Sequence, residues 1–132
     1  MNQNCLLVCA IVVACFIMMA QCQEATVCCD WPLSTTGKFN TNITQAQFSC
    51  NTPFTLTCAN TNPSETIEVG IVGYNDRPSV HSILQSGVEN VQETLVCGAP
   101  NNKNWHVQSI SYVEFTKLGC SYKDRRGNYV YV

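Results

Sequence analysis

Few residues of this chain have the side chains that catalysis usually needs, and their spacing matches no catalytic motif. The two histidines are His81 and His106, and a Ser-His-Asp triad would have to combine Ser86, His81 and Asp76. No serine lies in the G-x-S-x-G turn that exposes a nucleophile. Two acidic pairs have the residue type used in glycoside hydrolysis: Glu65 with Glu68, and Glu89 with Glu93. Acidic residues at such spacing usually form a solvated face, so the sequence predicts a protein that is not an enzyme.

The cysteines are the second reactive group, and their number and spacing indicate structural disulfides. Cys28 and Cys29 are adjacent, and a bond between neighbours would close a strained ring, so each is expected to join a different distant partner. No Cys-x-x-Cys with matching histidines, HExxH, phosphate loop or EF-hand pattern is present, and we expect no metal and no cofactor. Three disulfides are predicted from Cys28, Cys29, Cys50, Cys58, Cys97 and Cys120.

The N-terminal segment indicates where these disulfides form. Cys5 to Ala20 is a run of sixteen apolar residues at the extreme N-terminus, followed by Ala20-Gln21-Cys22. That length is short for a membrane span and typical of a signal peptide. We expect a signal peptide over 1–22 and a single secreted, extracellular domain over 23–132. Cleavage after Cys22 leaves six cysteines, whereas cleavage after Ala20 would leave seven, and an even number suits an oxidising compartment.

The low charge of the chain excludes some classes of binding partner. The net charge is −2 and charged residues make up 12% of the chain, without a block of like charge, so we expect no nucleic acid and no anionic membrane surface as partner. No segment of the mature chain predicts stable membrane insertion. Abundant Thr, Asn and Ser favour strands and turns over helices.

Alternation with a period of two predicts the elements that would position the side chains. We expect an all-β fold, a small antiparallel sandwich or barrel cross-linked by three disulfides. One strand is predicted from Phe48 to Cys58, with a possible break at Pro53; because eight residues of strand span about 26 Å, Cys50 and Cys58 should not pair with each other. The other predicted strands are 66–73 (Ile67, Val69 and Ile71 inward), 88–97, 105–118 as one long strand or a bent pair, and 128–132 at an edge. His81 to Ser86 is predicted as one short helical turn.

Two surface features follow from local sequence. Asn42-Ile43-Thr44 is an acceptor triplet for N-glycosylation at Asn42, and such triplets also occur by chance, so its occupancy is left open. Arg125-Arg126 could be a dibasic processing site or an exposed turn between two strands. The turn-rich surroundings favour the exposed turn.

Part of the chain resembles the rhamnose-binding (sea-urchin-egg-lectin type) domain. Cys50-Asn-Thr-Pro-Phe-Thr-Leu-Thr-Cys58 is similar to that family's first strand with its flanking cysteines, and Thr66 to Tyr74 is similar to its second strand. Tyr74-Asn75-Asp76-Arg77 stands in place of the sugar-contacting Tyr-Gly-Arg, and Tyr112 to Cys120 resembles the closing strand. The family's Asp-Pro-Cys segment is missing, and Asn51 stands where its acidic sugar ligand is expected. The resemblance implies a lectin that contacts sugar through Tyr74 and Arg77.

The sequence therefore favours a secreted recognition module that binds an extracellular glycan or a protein receptor. The candidate ligand-binding residues are Tyr74, Arg77, Trp105 and His106, since aromatic faces stack on sugar C–H surfaces and Arg donates to hydroxyls. Trp105 also fits a buried position, which we favour slightly. Two alternatives stay open: a secreted effector (host-defence factor, toxin or cytokine-like factor), and a protease inhibitor presenting the loop 98–104 or Arg77-Pro78.

Overall fold

A computed structural model describes residues 27–34, 37, 39–50, 52–99 and 102–132. The predicted signal peptide over 1–22 and its cleavage site lie outside these residues. So does Asn51.

The described chain folds as two antiparallel sheets, which confirms the all-β prediction of a disulfide-linked sandwich. One sheet has five strands in the order β1-β2-β5-β6-β7, and the other has four in the order β4-β3-β8-β9. The strands are β1 Asn40–Thr41, β2 Phe54–Ala59, β3 Thr66–Tyr74, β4 His81–Gly87, β5 Asn90–Cys97, β6 Trp105–Val107, β7 Ile110–Phe115, β8 Lys117–Asp124 and β9 Tyr129–Tyr131. A short 3-10 turn, Gln45–Gln47, precedes β2.

The core lies between the sheets and is crossed by one of the three disulfides in the described part of the chain. Cys58 on β2 bonds Cys120 on β8, and both are fully buried. The other two bridges are Cys28–Cys50 and Cys29–Cys97. The adjacent cysteines thus join different distant partners, and Cys50 and Cys58 are not bonded to each other, as the sequence predicts.

Two strand predictions were partly wrong. The strand expected from Phe48 begins only at Phe54, after Pro53, so Cys50 lies before it. Ile67, expected to face inward, is 43% exposed. Thr66 and Glu68 pair with the consecutive residues Asp124 and Lys123, so Ile67 is the extra residue of a bulge, and a bulge turns the inserted side chain away from its expected face.

The prediction of a helical turn over 81–86 was also wrong, because this segment forms β4. β4 pairs with β3 and makes one edge of the four-stranded sheet. The segment 105–118 is bent, as one alternative predicted: β6 and β7 pair with each other and β8 then begins. The predicted C-terminal edge strand is β9, and the Arg125-Arg126 turn joins it to β8.

No helix in the described part of the chain is long and apolar enough to cross a membrane.

Candidate functional site

Tyr74 ends β3 at the edge of an open cavity. It pairs across the sheet with His81 on β4 and with Lys117 on β8, so these side chains share the face directed away from the core. Partial burial raises the pKa of the Tyr74 phenol. The hydroxyl therefore stays protonated at neutral pH and can both donate and accept hydrogen bonds.

The loop 75–80 that follows is held at both ends. The Thr116 N–H donates to Asn75 Oδ1 at 2.9 Å, and the Thr116 hydroxyl lies 3.5 Å from the Asn75 carbonyl oxygen. At the other end His81 Nδ1 lies 2.6 Å from the Pro78 carbonyl oxygen; a carbonyl can only accept, so Nδ1 carries the proton. The Val80 N–H donates to the Arg77 carbonyl at 3.0 Å. The backbone around Arg77 is thus ordered by hydrogen bonds before any ligand binds.

The cavity under this loop has a volume of about 460 Å³, within the usual range of small-molecule sites. Two of the predicted site residues, Tyr74 and Arg77, meet here. Asp76 and Arg77 are exposed, and neither side chain has a hydrogen bond or ion pair to another described residue. The lining comprises Gly73, Tyr74, Asn75, Asp76, Arg77, Val80, His81, Ser82, Glu114 and Phe115.

Glu114 on β7 lines the cavity, although the sequence did not predict it as a ligand-binding residue. Its Oε1 accepts from Asn102 Nδ2 and its Oε2 from Asn104 Nδ2, both at 2.9 Å. The hydrogen bonds from Asn104 and then Asn102 lower the pKa of Glu114, and the charge of His106 adds to this effect. Glu114 is therefore a fixed carboxylate at neutral pH.

His106 does not line the cavity. It is half-buried on β6, and its coulombic influence on the pKa of Glu114 is smaller than that of the hydrogen bonds from Asn104 and Asn102. The structure thus places His106 beside the site without giving it a contact surface there.

Trp105 is removed from the candidate site, because its side chain is 0% exposed. Its ring packs edge to face on Phe54 at 5.1 Å between centroids and also contacts Phe48. Its Nε1 donates to the Asp30 carbonyl at 2.9 Å. The favoured alternative, a buried core residue, describes Trp105 correctly, and a buried ring has no free face for a sugar.

The structure does not assemble the triad that the sequence allows. Ser86 lies opposite Gly70 and His81 opposite Tyr74, so the two β4 residues are about 13 Å apart along the strand. The described residues contain no group of three or more His, Cys, Asp or Glu side chains that could hold a metal ion.

Asn42 lies at an exposed bend after β1. Its Oδ1 accepts from the Thr55 N–H at 2.7 Å. This contact fixes the side-chain amide, and both Asn42 and Thr44 of the acceptor triplet are exposed.

Comparisons of the chain with protein-family models, with curated proteins and with solved structures find no match.

Proposed function

We propose that this protein is a secreted recognition module without catalytic activity, and that it binds a carbohydrate in the cavity formed by Tyr74, Arg77 and their neighbours. The observation that carries the proposal is the loop 75–80, which hydrogen bonds hold at both ends. The loop holds the Arg77 guanidinium, which has no hydrogen bond or ion pair to another described residue, at one open cavity beside the Tyr74 phenol. A loop whose backbone is ordered in advance avoids the cost of ordering it on binding.

The mixture of groups suits a neutral polyol. Arg77 supplies N–H donors, and the Asp76 and Glu114 carboxylates supply acceptors on the same cavity, so sugar hydroxyls find partners of both kinds. Charges of both signs line the cavity, and a ligand with a strong net charge would meet repulsion from one of them. The Tyr74 ring adds a surface for sugar C–H groups.

The same carboxylates bear on the resemblance to rhamnose-binding domains. That family's acidic sugar ligand corresponds to Asn51, which lies outside the described residues. In the proposed site the acidic contacts come from Asp76, in the loop after β3, and from Glu114, on β7. The ligand therefore need not be rhamnose.

A glycan array probed with wild type, Arg77→Ala and Arg125→Ala tests the proposal. Arg125 is an exposed Arg in the β8–β9 turn and does not line the cavity, so it is the matched control. We expect wild type and Arg125→Ala to bind the same sugars and Arg77→Ala to lose them, with all three melting within a few degrees of one another because exposed substitutions usually change stability by about 0.5 kcal/mol or less. A silent array, or equal binding by Arg77→Ala, would overturn the proposal.

Secretion and glycosylation at Asn42 complete the proposal. The exposed triplet would be modified as the chain passes through the secretory pathway. Expression in eukaryotic cells should give a protein in the medium that begins at Gln23 and loses mass on treatment with an N-glycosidase. Asn42→Gln should have the lower mass without treatment. An intracellular product, or a wild-type mass unchanged by the enzyme, would contradict this part.

A further inference from the structure

We infer that the ligand is a chain of several sugars which runs from the cavity across the outer face of the four-stranded sheet, over an aromatic row formed by His81, Tyr131 and Tyr129. The inference rests on the proposed carbohydrate binding and deepens it. It assigns a second part of the site, on strands that the sequence did not connect with function.

The strand register places the aromatic row on one face. His81 lies opposite Tyr74, which lies opposite Lys117. Four residues further along β8 than Lys117, Ser121 lies opposite Tyr131, and Lys123 lies opposite Tyr129. Side chains directly across a ladder point to the same face, and residues two apart on a strand share it. Tyr74, His81, Tyr131 and Tyr129 therefore all face away from the core.

Few side chains project from the middle of this face. Gly119 and Gly70 occupy outward positions on β8 and β3. Val72, which lies opposite Gly119 and two residues from Gly70, is 0% exposed although it faces outward. A Cβ on Gly119 would lie 2.6 Å from the Val132 carbonyl oxygen, so no larger residue fits there without movement. The low centre allows the rings at the two edges to lie over the sheet.

The ring contacts form a continuous row. The His81 and Tyr131 centroids are 4.9 Å apart. The Tyr131 and Tyr129 centroids are 6.1 Å apart with an angle of 17° between the planes. Lys123 Nζ lies 5.4 Å from the Tyr129 ring centre, and Tyr129 is 37% exposed. The row therefore ends in a ring that solvent reaches.

His81 connects the row to the cavity. It lines the cavity beside Tyr74 and Arg77 and contacts Tyr131 on the outer face. The Pro78 carbonyl holds its Nδ1, so the ring has a fixed orientation. A ligand that fills the cavity can therefore continue onto the rings without crossing a gap.

The chemistry of the face favours a neutral sugar chain over a protein surface. Its charged pair, Lys123 and Glu68, is 30% and 33% exposed with Nζ and Oε2 4.0 Å apart, and Ile83, opposite Val72, is 51% exposed. The face therefore mixes charged and apolar side chains, whereas broad apolar patches mark protein interfaces. Aromatic rings joined in a row give repeated flat surfaces, and the flanking phenols, imidazole and ammonium can bond hydroxyls. A polysaccharide repeats flat C–H surfaces and hydroxyl groups along its length and can match these rings and polar groups in turn. The surface of a folded protein has no such repeat.

The test uses an array on which each sugar is present as the monosaccharide and as linear oligomers of two to six units, together with sedimentation on insoluble chitin, cellulose and β-1,3-glucan. Wild type should bind the tetrasaccharide of its preferred sugar about tenfold or more tightly than the monosaccharide. Tyr129→Ala should remove most of that gain and leave monosaccharide affinity within about twofold. Tyr112→Ala is the control, since Tyr112 is 85% exposed on β7 of the other sheet, and it should behave as wild type.

Tyr131 needs a second variant because its ring is part of a packed row. Tyr131→Phe keeps the ring and should keep the chain-length dependence, whereas Tyr131→Ala should lose it, and thermal melts report whether each protein is folded. If Tyr131→Ala unfolds, Tyr129→Ala and Tyr131→Phe decide the question.

Equal affinity for monomer and oligomer, or a Tyr129→Ala protein with unchanged chain-length dependence, would overturn the inference and leave the cavity proposal standing. An array silent with every sugar would overturn both.

Discussion

His81 and Tyr131 belong to the two edge strands of the four-stranded sheet, and yet their ring centroids lie only 4.9 Å apart. In a flat sheet three strand spacings, about 14 Å, would separate the two residues across the sheet, and the four residues from Lys117 to Ser121 would offset them by about 13 Å along it. Between the two edges the inner strands carry Gly70 and Gly119 on this face, so few side chains stand between the rings. The contact ties the loop before His81 to the C-terminal strand, so the cavity and the outer face are parts of one connected surface.

Asn75 should act as a positioning residue for Arg77. Its Oδ1 accepts from the Thr116 N–H, and Asn75→Ala removes this bond at a cost in stability of about 1 kcal/mol. We expect sugar affinity to fall by about tenfold because the loop loses its N-terminal anchor. Asn75→Asp keeps an acceptor and should retain most of the affinity. Titration calorimetry and urea unfolding measure both effects, and a folded Asn75→Ala protein with wild-type affinity would show that the anchor is not needed.

The strands that sequence predicted are those with an unbroken alternation. Phe54, Leu56 and Cys58 are buried at every second position of β2, and this pattern is visible in the residues themselves. β4 could not be found in this way. Gln85 and Ile83 pair with the consecutive residues Ile71 and Val72, so Leu84 is inserted in a bulge and the period of two is lost.

The candidate site was predictable only where it is contiguous in sequence. Tyr74 and Arg77 lie three residues apart around one turn, so a local motif could indicate both. Glu114 reaches the same cavity from β7, and only the packing of the two sheets brings it there. For Trp105 the sequence could not decide between a binding surface and the core, because an aromatic residue suits both until its burial is known.

The disulfides should differ in their contribution to stability. Cys58–Cys120 spans 62 residues and joins the two sheets, whereas Cys28–Cys50 spans 22. By the loop-closure relation the longer bridge contributes about 4 kcal/mol and the shorter about 3 kcal/mol. The double variant Cys58→Ala/Cys120→Ala should therefore unfold at lower urea concentration than Cys28→Ala/Cys50→Ala, with the cavity left in the buried core increasing the gap. The reverse order would contradict this ranking, and peptide mapping of wild type checks the pairing.

Trp105→Phe should separate folding from binding. The change removes the hydrogen bond to the Asp30 carbonyl and leaves space in the core, so we expect a loss of about 1–3 kcal/mol in the free energy of unfolding. Sugar affinity should stay within about twofold at a temperature where the variant is folded, because the ring has no exposed surface. A folded Trp105→Phe protein that no longer binds would return this residue to the site.

Glu114 should make stability depend on pH in a defined direction. Its hydrogen bonds with Asn104 and Asn102 lower its pKa from the ordinary value of 4.5. A carboxylate with a lowered folded-state pKa stabilises the protein above its unfolded-state pKa, and this contribution is lost as pH falls through the folded-state value. The melting temperature of Glu114→Gln should therefore lie below that of wild type at neutral pH, and the difference should shrink on acidification. Melting curves of both proteins between about pH 2 and 7 measure this, with Glu89→Gln, at an exposed turn, as the control for loss of one charge. If the melting temperatures of wild type and Glu114→Gln differed by the same amount at every pH, the hydrogen bonds from the two asparagines would not depend on the ionised form of Glu114.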